Sequence, residues 1–410
     1  MPSSNDLSAR DLKALDAYKY SGKDFSLCSK YFMQAYWTAV VELVPKSVAP
    51  NMLTTTGFLC AISTSVILFW LSLTEPTAVE FPRWVWAYAG VALFAYQTLD
   101  AIDGKQARRT GSGSPLGELF DHGCDALFTP LVCTTTALAI GLTPIETFVY
   151  CFWVSTGMFL ALFEQFSTGT LDLGYINGPV EGILLSSASL IYTSFVGPLW
   201  WSSPFAAPLL DLGVSVFGVR LAVVKPNDVL LAIAIIAGTC TGVVNLAHAF
   251  TQPVANENVN RLMTLLPQTL IAGLTFGLAM HAPQMLRTGP FKFAVELSYG
   301  WLVSYTVTRM TVARLCSRAY KPTSIPFGVM LFILLTTHGY LFAMDYLGKR
   351  ANGLILDMPF AISAIVTVAC YVWMIFRVFN QIARHLRINI FTLTAEQKAK
   401  IAQQPRAAQK

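Results

Sequence analysis

The chain has 410 residues, 54% apolar and 12% charged, with 28 lysines and arginines against 23 aspartates and glutamates for a net charge of +5. Soluble domains average roughly 25% charged residues, so the composition excludes an ordinary soluble domain and points to a chain that meets lipid along most of its length. So slight a positive excess gives no reason to expect a nucleic-acid partner.

The N-terminus begins polar, without the charged-then-apolar pattern of a signal peptide, so the first span should itself direct insertion. Residues 27–44 mix aromatic and aliphatic side chains with a few polar ones. That mixture suits a helix lying among lipid headgroups and suits equally a helix packed across the end of a bundle. Apolar stretches long enough to cross a hydrocarbon core then recur at 52–73, 84–100, 118–141, 147–166, 178–197, 228–250, 262–282, 293–313, 325–344 and 356–376. The expected fold is all-α, a polytopic integral membrane helical bundle of about ten transmembrane helices. Its expected parts are a cytosolic N-terminal segment with an interfacial helix (1–50), the transmembrane domain (51–378) and a basic cytosolic tail (379–410). Lys105, Arg108 and Arg109 follow the second span, Arg314, Arg318 and Lys321 the eighth, and Arg377, Arg384 and Arg387 the tenth. The positive-inside rule makes those loops cytosolic.

The second and third spans carry four aspartates, Asp100, Asp103, Asp121 and Asp125, with Gly111–Pro115 breaking the run between them. The spacings are i, i+3 and i, i+4, so each helix projects its pair from one face. Carboxylates at bilayer depth are costly and persist mainly where they hold cations or move protons. Two such faces together make an oxygen-rich pocket of the kind Mg2+ accepts while taking further oxygens from a phosphate substrate.

The remaining polar residues read more quietly. Eight cysteines are scattered without Cys-x-x-Cys spacing, and Cys124, beside the aspartates, reads as packing. Glu164, Glu181 and Glu296 are candidates for interhelical hydrogen bonding. His248, His281, His338 and His385 lie outside any cluster along the chain and read as packed or interfacial rather than as ligands.

The pattern Asp-x2-Asp-Gly-x2-Ala-Arg-x8-Gly-x3-Asp-x3-Asp, filled here from Asp100 to Asp125, resembles the signature of the CDP-alcohol phosphotransferases. Asp100 to Thr110 and Gly117 to Asp125, with Tyr18-Lys-Tyr-Ser-Gly22 and Ala49-Pro-Asn-Met-Leu-Thr54, look like the eukaryotic choline/ethanolamine phosphotransferase branch, and Gly178 to Gly182 looks most like its fungal members. The resemblance runs over nearly the whole chain. It implies transfer of phosphocholine or phosphoethanolamine from CDP-choline or CDP-ethanolamine to diacylglycerol, in the endoplasmic reticulum membrane, by a homodimer with its active site facing the cytosol. It implies that Asp100, Asp103, Asp121 and Asp125 bind two Mg2+ or Mn2+ ions, and that Asn51, Tyr96, Gly104, Ala107 and Arg108 contact the CDP-alcohol. Gly104 and Ala107 would keep the helix surface low for the nucleotide, and Arg108 would bind the pyrophosphate.

The proton acceptor follows from chemistry and resemblance together. An aspartate neutralised by two cations is a poor base, whereas His122 ionises near neutrality. Glu118 lies four residues earlier on the same face, placed to hydrogen-bond the imidazole. Across the wider family the fourth aspartate, here Asp125, is the usual candidate. A cation-coupled transporter would also carry intramembrane carboxylates, but it should show inverted repeats, and no such symmetry is visible. An enzyme with the same pocket and another alcohol is the other alternative.

Overall fold

The computed structural model describes residues 7–74, 78–204, 215–216, 219–220, 224–255, 257–282, 286, 293–348 and 353–403. Residues 1–6 and 404–410, at the tips of the two expected end segments, lie outside the described residues.

Helices dominate: α1 (Ala9–Ala14), α2 (Gln34–Leu43), α3 (Pro50–Thr74), α4 (Arg83–Thr110), α5 (Pro115–Ala139), α6 (Pro144–Thr168), α7 (Ile183–Val196), α8 (Pro198–Ser202), α9 (Pro226–Thr251), α10 (Arg261–His281), α11 (Ala294–Leu315), α12 (Ile325–Tyr346), α13 (Gly353–Leu386) and α14 (Ala395–Ala402). Each of the ten expected spans has its long helix. Proline opens many of them, because its missing N–H is unpaired at a helix start anyway. Pro115, Pro144, Pro226 and Pro326 stand in first turns, and Ser114, Thr143 and Ser324 cap three of those helices with side-chain oxygens.

Seven helical stretches among the described residues are long and apolar enough to cross a membrane; α4, α5 and α11 fall short of that composition. For α5 and α11 the shortfall has a physical cause, since neither has an exposed residue, whereas α4 leaves Trp84, Tyr88 and Val91 exposed and carries its polar residues at its second half. α11 is buried along nearly its whole length although it carries Glu296, Arg309 and Arg314. By contrast only 11% of the most apolar window of α9 is buried, and its Val229, Ile233, Ile236, Val243 and Val244 point outward. Apolar side chains left open in this way belong against lipid tails.

α3, α4 and α7 pack together on one side of α5, and α6 and α11 on the other, with α9, α10, α12 and α13 outside them. Pro130 inside α5 shows how tightly the centre is built. Proline cannot donate to the carbonyl four residues back, and the freed Ala126 carbonyl instead accepts from Ser304 Oγ of α11 at 2.5 Å. Gly300, one turn earlier on α11, makes room for the ring: a Cβ there would lie 2.5 Å from Pro130 Cγ. Ser304→Ala leaves that carbonyl unpaired in a water-free interior and should cost about 1–3 kcal/mol. The check is the thermal unfolding midpoint in detergent, where a value equal to wild type would mean that the carbonyl finds another donor.

The N-terminal segment closes one end of the bundle. β1 (Gly22–Asp24) pairs in parallel with β2 (Leu171–Leu173), Lys23 opposite Asp172, and a second, antiparallel ladder joins Ser215–Val216 to Val219–Arg220. Glu181 anchors the chain after β1 by accepting from Ser26 Oγ (2.5 Å), Cys28 N (3.0 Å) and Asn177 N (2.9 Å). The following helix, π-wound over Ser29–Met33 and continuing as α2, packs one face on the bundle, as one of the two sequence expectations had it. Met33, Trp37 and Val41 pack against Leu53, Ile102 and Val180, while Tyr31, Phe32 and Leu43 stay exposed. Lys105 donates to Gln34 and Thr38, and Arg109 to the Val41 and Val44 carbonyls and to Glu42, so the basic end of α4 also clamps this helix.

Candidate active site

The Gly-Ser-Gly-Ser-Pro stretch works as two caps back to back. Gly111 ends α4 in the left-handed conformation (φ 60°), where glycine alone is unstrained, and Ser112 N returns to the Ala107 carbonyl at 3.0 Å. Ser114 then accepts from Gly117 N at 3.1 Å to start α5. This tight reversal brings the polar end of α4 against the polar start of α5.

Tyr96, Asp100 and Asp103 occupy successive turns of α4, and Asp121 and Asp125 face them from α5. Carboxylate oxygens of Asp100, Asp103 and Asp121 all lie within 4.8 Å of one another. Asp125 stands beside the trio, and its Oδ1 accepts the Tyr96 hydroxyl. Asp103 Oδ2 accepts the Thr54 hydroxyl of α3, and α3 comes this close because Gly57 presents no side chain: a Cβ there would lie 3.2 Å from Tyr96 Cα. Asp100 Oδ1 and Asp121 Oδ1 are buried without hydrogen-bond partners. Two unit charges 4 Å apart repel by about 4 kcal/mol at an effective dielectric near 20, so clustered ionised carboxylates need positive charge among them. A hard divalent cation, with its demand for several oxygens, fits this donor set.

Glu118 and His122 lie one and two turns along α5, both buried. The expected hydrogen bond between them is absent. Glu118 instead accepts from Tyr18 Oη (2.7 Å), from Gln165 Nε2 of α6 (3.0 Å) and from Arg314 Nη2 of α11. Three donors, one of them a guanidinium, outcompete an imidazole on the carboxylate's own helix. His122 Nδ1 is buried with no partner. Burial and then the charge of Glu118 push the Tyr18 phenol above its ordinary pKa, which keeps it a donor.

The remaining residues expected to contact ligand stand at the rim or wall of the site. Gly104 and Ala107 are half-buried and Arg108 is exposed. Arg108 folds back over Gly104, its Nη1 3.6 Å from where a Cβ would be, and it has no ion pair among the described residues. Asn51 donates to the Ile390 carbonyl at 2.9 Å, and its Oδ1 lies 3.7 Å from a Cβ placed on Gly117. Tyr96 is buried, with its hydroxyl on Asp125.

Tyr18 and Thr54 stand in the sequence only within the strings that carry the resemblance, and neither Gln165 nor the pairing of Arg314 is signalled there. Arg314 had been counted simply as a positive flank, yet it and Glu118 form an ion pair with side chains 10% and 3% exposed. Its position at the very end of a polar span was the available signal. His248 is a correction of the other kind: read as lying outside any cluster, it sits with Glu164 and Asp172, because α9 packs along α6. Breaking a buried pair strands the surviving charge at about 3–5 kcal/mol. Arg314→Met should therefore destabilise the protein by that amount, and adding Glu118→Gln should recover most of it. Equal unfolding midpoints for the single variant and wild type would contradict the buried pair.

Fold and site together define a polytopic membrane protein with clustered carboxylates, a donor set that suits divalent cations, where the end of α4 meets the start of α5. The sequence profile of the CDP-alcohol phosphatidyltransferases matches residues 47–208, a stretch containing every one of these carboxylates. Choline/ethanolaminephosphotransferase 1 of Arabidopsis thaliana is 33% identical over 402 residues, covering 95% of this chain and 99% of that one. Choline/ethanolaminephosphotransferase 2 of the same plant is 35% identical over 323 residues (76% and 79%), and cholinephosphotransferase 1 of Xenopus laevis is 31% identical over 409 (97% and 93%). The chain belongs to the CDP-alcohol phosphatidyltransferase family.

Proposed function

We propose that the protein transfers phosphocholine, phosphoethanolamine or both from CDP-choline or CDP-ethanolamine to diacylglycerol, giving phosphatidylcholine or phosphatidylethanolamine and CMP. The observation that carries this reading is the convergence of three carboxylates within 4.8 Å beside a histidine with a free, buried ring nitrogen. Phosphoryl transfer needs little covalent chemistry from protein, mostly charge neutralisation, alignment and one proton acceptor.

Asp100, Asp103, Asp121 and Asp125 would hold two Mg2+ or Mn2+ ions. Bound there, such ions supply the positive charge that neutralises the pyrophosphate and the departing phosphate. Arg108, exposed at the rim, reaches the pyrophosphate with a planar guanidinium. Gly104 and Ala107 leave the α4 surface low for the nucleotide, and Asn51 and Tyr96 line its wall. The diacylglycerol hydroxyl oxygen attacks the phosphorus that bears the alcohol, and the bond to the bridging oxygen breaks with its electron pair leaving on CMP. The hydroxyl proton passes to His122 Nδ1. Tyr18, Gln165 and Arg314 hold Glu118 still, one turn from His122.

The same reading makes 51–378 the catalytic membrane domain, between a cytosolic 1–50 segment and a basic 379–410 tail, in a homodimer of the endoplasmic reticulum membrane. The basic ends of α11 and α13 meet the N-terminal segment and the start of α5, with Arg314 on Glu118, Arg318 3.6 Å from Asp11, and His385 3.0 Å from Asp16, and by the positive-inside rule this supports a cytosol-facing site. The test offers CDP-choline and CDP-ethanolamine separately to the purified protein with diacylglycerol and Mg2+. Phospholipid from either supports the reading and identifies the headgroup. Turnover of neither, with turnover of another CDP-alcohol, would overturn the headgroup assignment while keeping the chemistry.

A further inference from the structure

A second group of ligating side chains lies outside the aspartate centre. Glu164 from the last turn of α6, Asp172 from β2 and His248 from the end of α9 bring one carboxylate oxygen each and one ring nitrogen within 4.8 Å of one another. The local structure is built to make them meet. Gly169 turns the chain in the left-handed conformation (φ 83°), Thr168 Oγ1 bridges the Glu164 and Thr170 carbonyls at 3.0 and 3.1 Å, and the ladder with β1 fixes Asp172 in register. Ala255 N holds the chain beyond α9 to the Ser167 carbonyl at 2.9 Å.

The simplest account is an interhelical ion pair, His248 Nδ1 on Glu164 Oε1 at 2.9 Å. That account leaves Asp172 unexplained. Its Oδ1 is buried with no hydrogen-bond partner and has only a long cross-strand ion pair with the exposed Lys23, whose Nζ lies at 4.0 Å. Bringing a second carboxylate onto an already paired one costs energy unless something positive lies between them. Glu164 is 2% exposed, and the Asn245 amide, one turn before His248, can donate to its other oxygen at 3.0 Å. A hydrogen-bonded first ligand is how protein metal sites orient their carboxylates. His248 is 41% exposed and Asp172 26% exposed, which leaves an entry path from solvent.

We propose that Glu164, Asp172 and His248 form a second metal site, separate from the aspartate centre, that takes a zinc-like divalent cation. One imidazole and two carboxylates select a borderline ion such as Zn2+ over Mg2+, which prefers oxygen ligands only. Tetrahedral Zn2+ with bonds of about 2.0–2.2 Å sets its ligand atoms roughly 3.3 Å apart, so the Glu164–His248 pair, at 2.9 Å, has only to open slightly while Asp172 moves in from within 4.8 Å. On binding through the nitrogen that now faces Glu164, the neutral imidazole keeps its proton on the other ring nitrogen. The ion would pin the loop after α6 between two helices. Gln165, the next residue, donates to Glu118, and β1, paired to β2, leads back to Tyr18, the other neutral donor on Glu118.

The test loads the purified full chain with ZnCl2 under a large excess of Mg2+, removes free metal, and measures retained zinc by mass spectrometry, with Co2+ substitution read by its visible absorption. Wild type should retain one zinc per chain, and His248→Ala and Asp172→Asn should each lower its affinity at least tenfold. Asp100→Asn, which alters the aspartate centre, should retain it. Asp172→Asn is the variant least able to disturb folding, and monodisperse elution confirms that each variant is folded. Folded wild type that retains no zinc would overturn the proposal. So would zinc held equally by the His248 and Asp172 variants, or lost only in Asp100→Asn, because the ion would then sit elsewhere.

Discussion

Asp121→Asn is expected to abolish phosphoalcohol transfer, by about a thousandfold or more, and at the same time to raise thermal stability in EDTA. The two effects come from the same geometry. Asp121 shares a 4.8 Å neighbourhood with Asp100 and Asp103 and has a buried oxygen without a partner. Losing roughly 4 kcal/mol of transition-state charge stabilisation corresponds to about a thousandfold in rate. Without divalent cations that same carboxylate only repels its neighbours, so the isosteric amide relieves the folded state. The unfolding midpoint should therefore rise in EDTA and fall below wild type in saturating Mg2+. A midpoint that drops under both conditions would mean that Asp121 is held by protein groups rather than by cations.

His122→Ala is expected to lower turnover by about 10²–10⁴-fold, the usual contribution of a positioned general base, with little change in the affinity for CDP-alcohol. The imidazole has a buried Nδ1 with no partner, whereas Asp125 already accepts the Tyr96 hydroxyl and sits beside the carboxylate trio. A base should be free and unneutralised, and of the two only the histidine is. Comparing kcat and KM separates the roles: a base variant loses kcat, and a binding variant raises KM. Near wild-type turnover in His122→Ala, with its loss in Asp125→Asn, would transfer the role to Asp125.

Most helix boundaries were legible because the chain marks them chemically. The stretch expected at 228–250 is Pro226–Thr251, and that expected at 262–282 is Arg261–His281, each opening on proline or a capping asparagine. Two boundaries moved for one reason. α4 runs on to Thr110, past the apolar limit at residue 100, and α13 runs to Leu386, past 376. Hydropathy measures where lipid ends, whereas these helices continue into a polar protein end in which Asp103, Gln106 and Gln381 find partners. The aspartate spacing was legible since it is local to two helices. What holds it was not: Thr54 reaches Asp103 across 49 residues, Arg314 reaches Glu118 across 196, and His248 reaches Glu164 across 84. Such pairs depend on which helices pack together, and one sequence carries no periodicity for that. The i, i+4 rule suggested a Glu118–His122 bond for the same reason that it failed, because it counts neighbours on one helix and cannot see donors arriving from three other segments.

The most direct test of the central account is the stoichiometry of CMP release and phospholipid formation by purified wild-type protein, with CDP-choline or CDP-ethanolamine, diacylglycerol and Mg2+. One CMP is expected for each phospholipid formed, with no product in EDTA and little CMP when diacylglycerol is left out. CMP released equally without diacylglycerol, or phospholipid formed undiminished in EDTA, would contradict it.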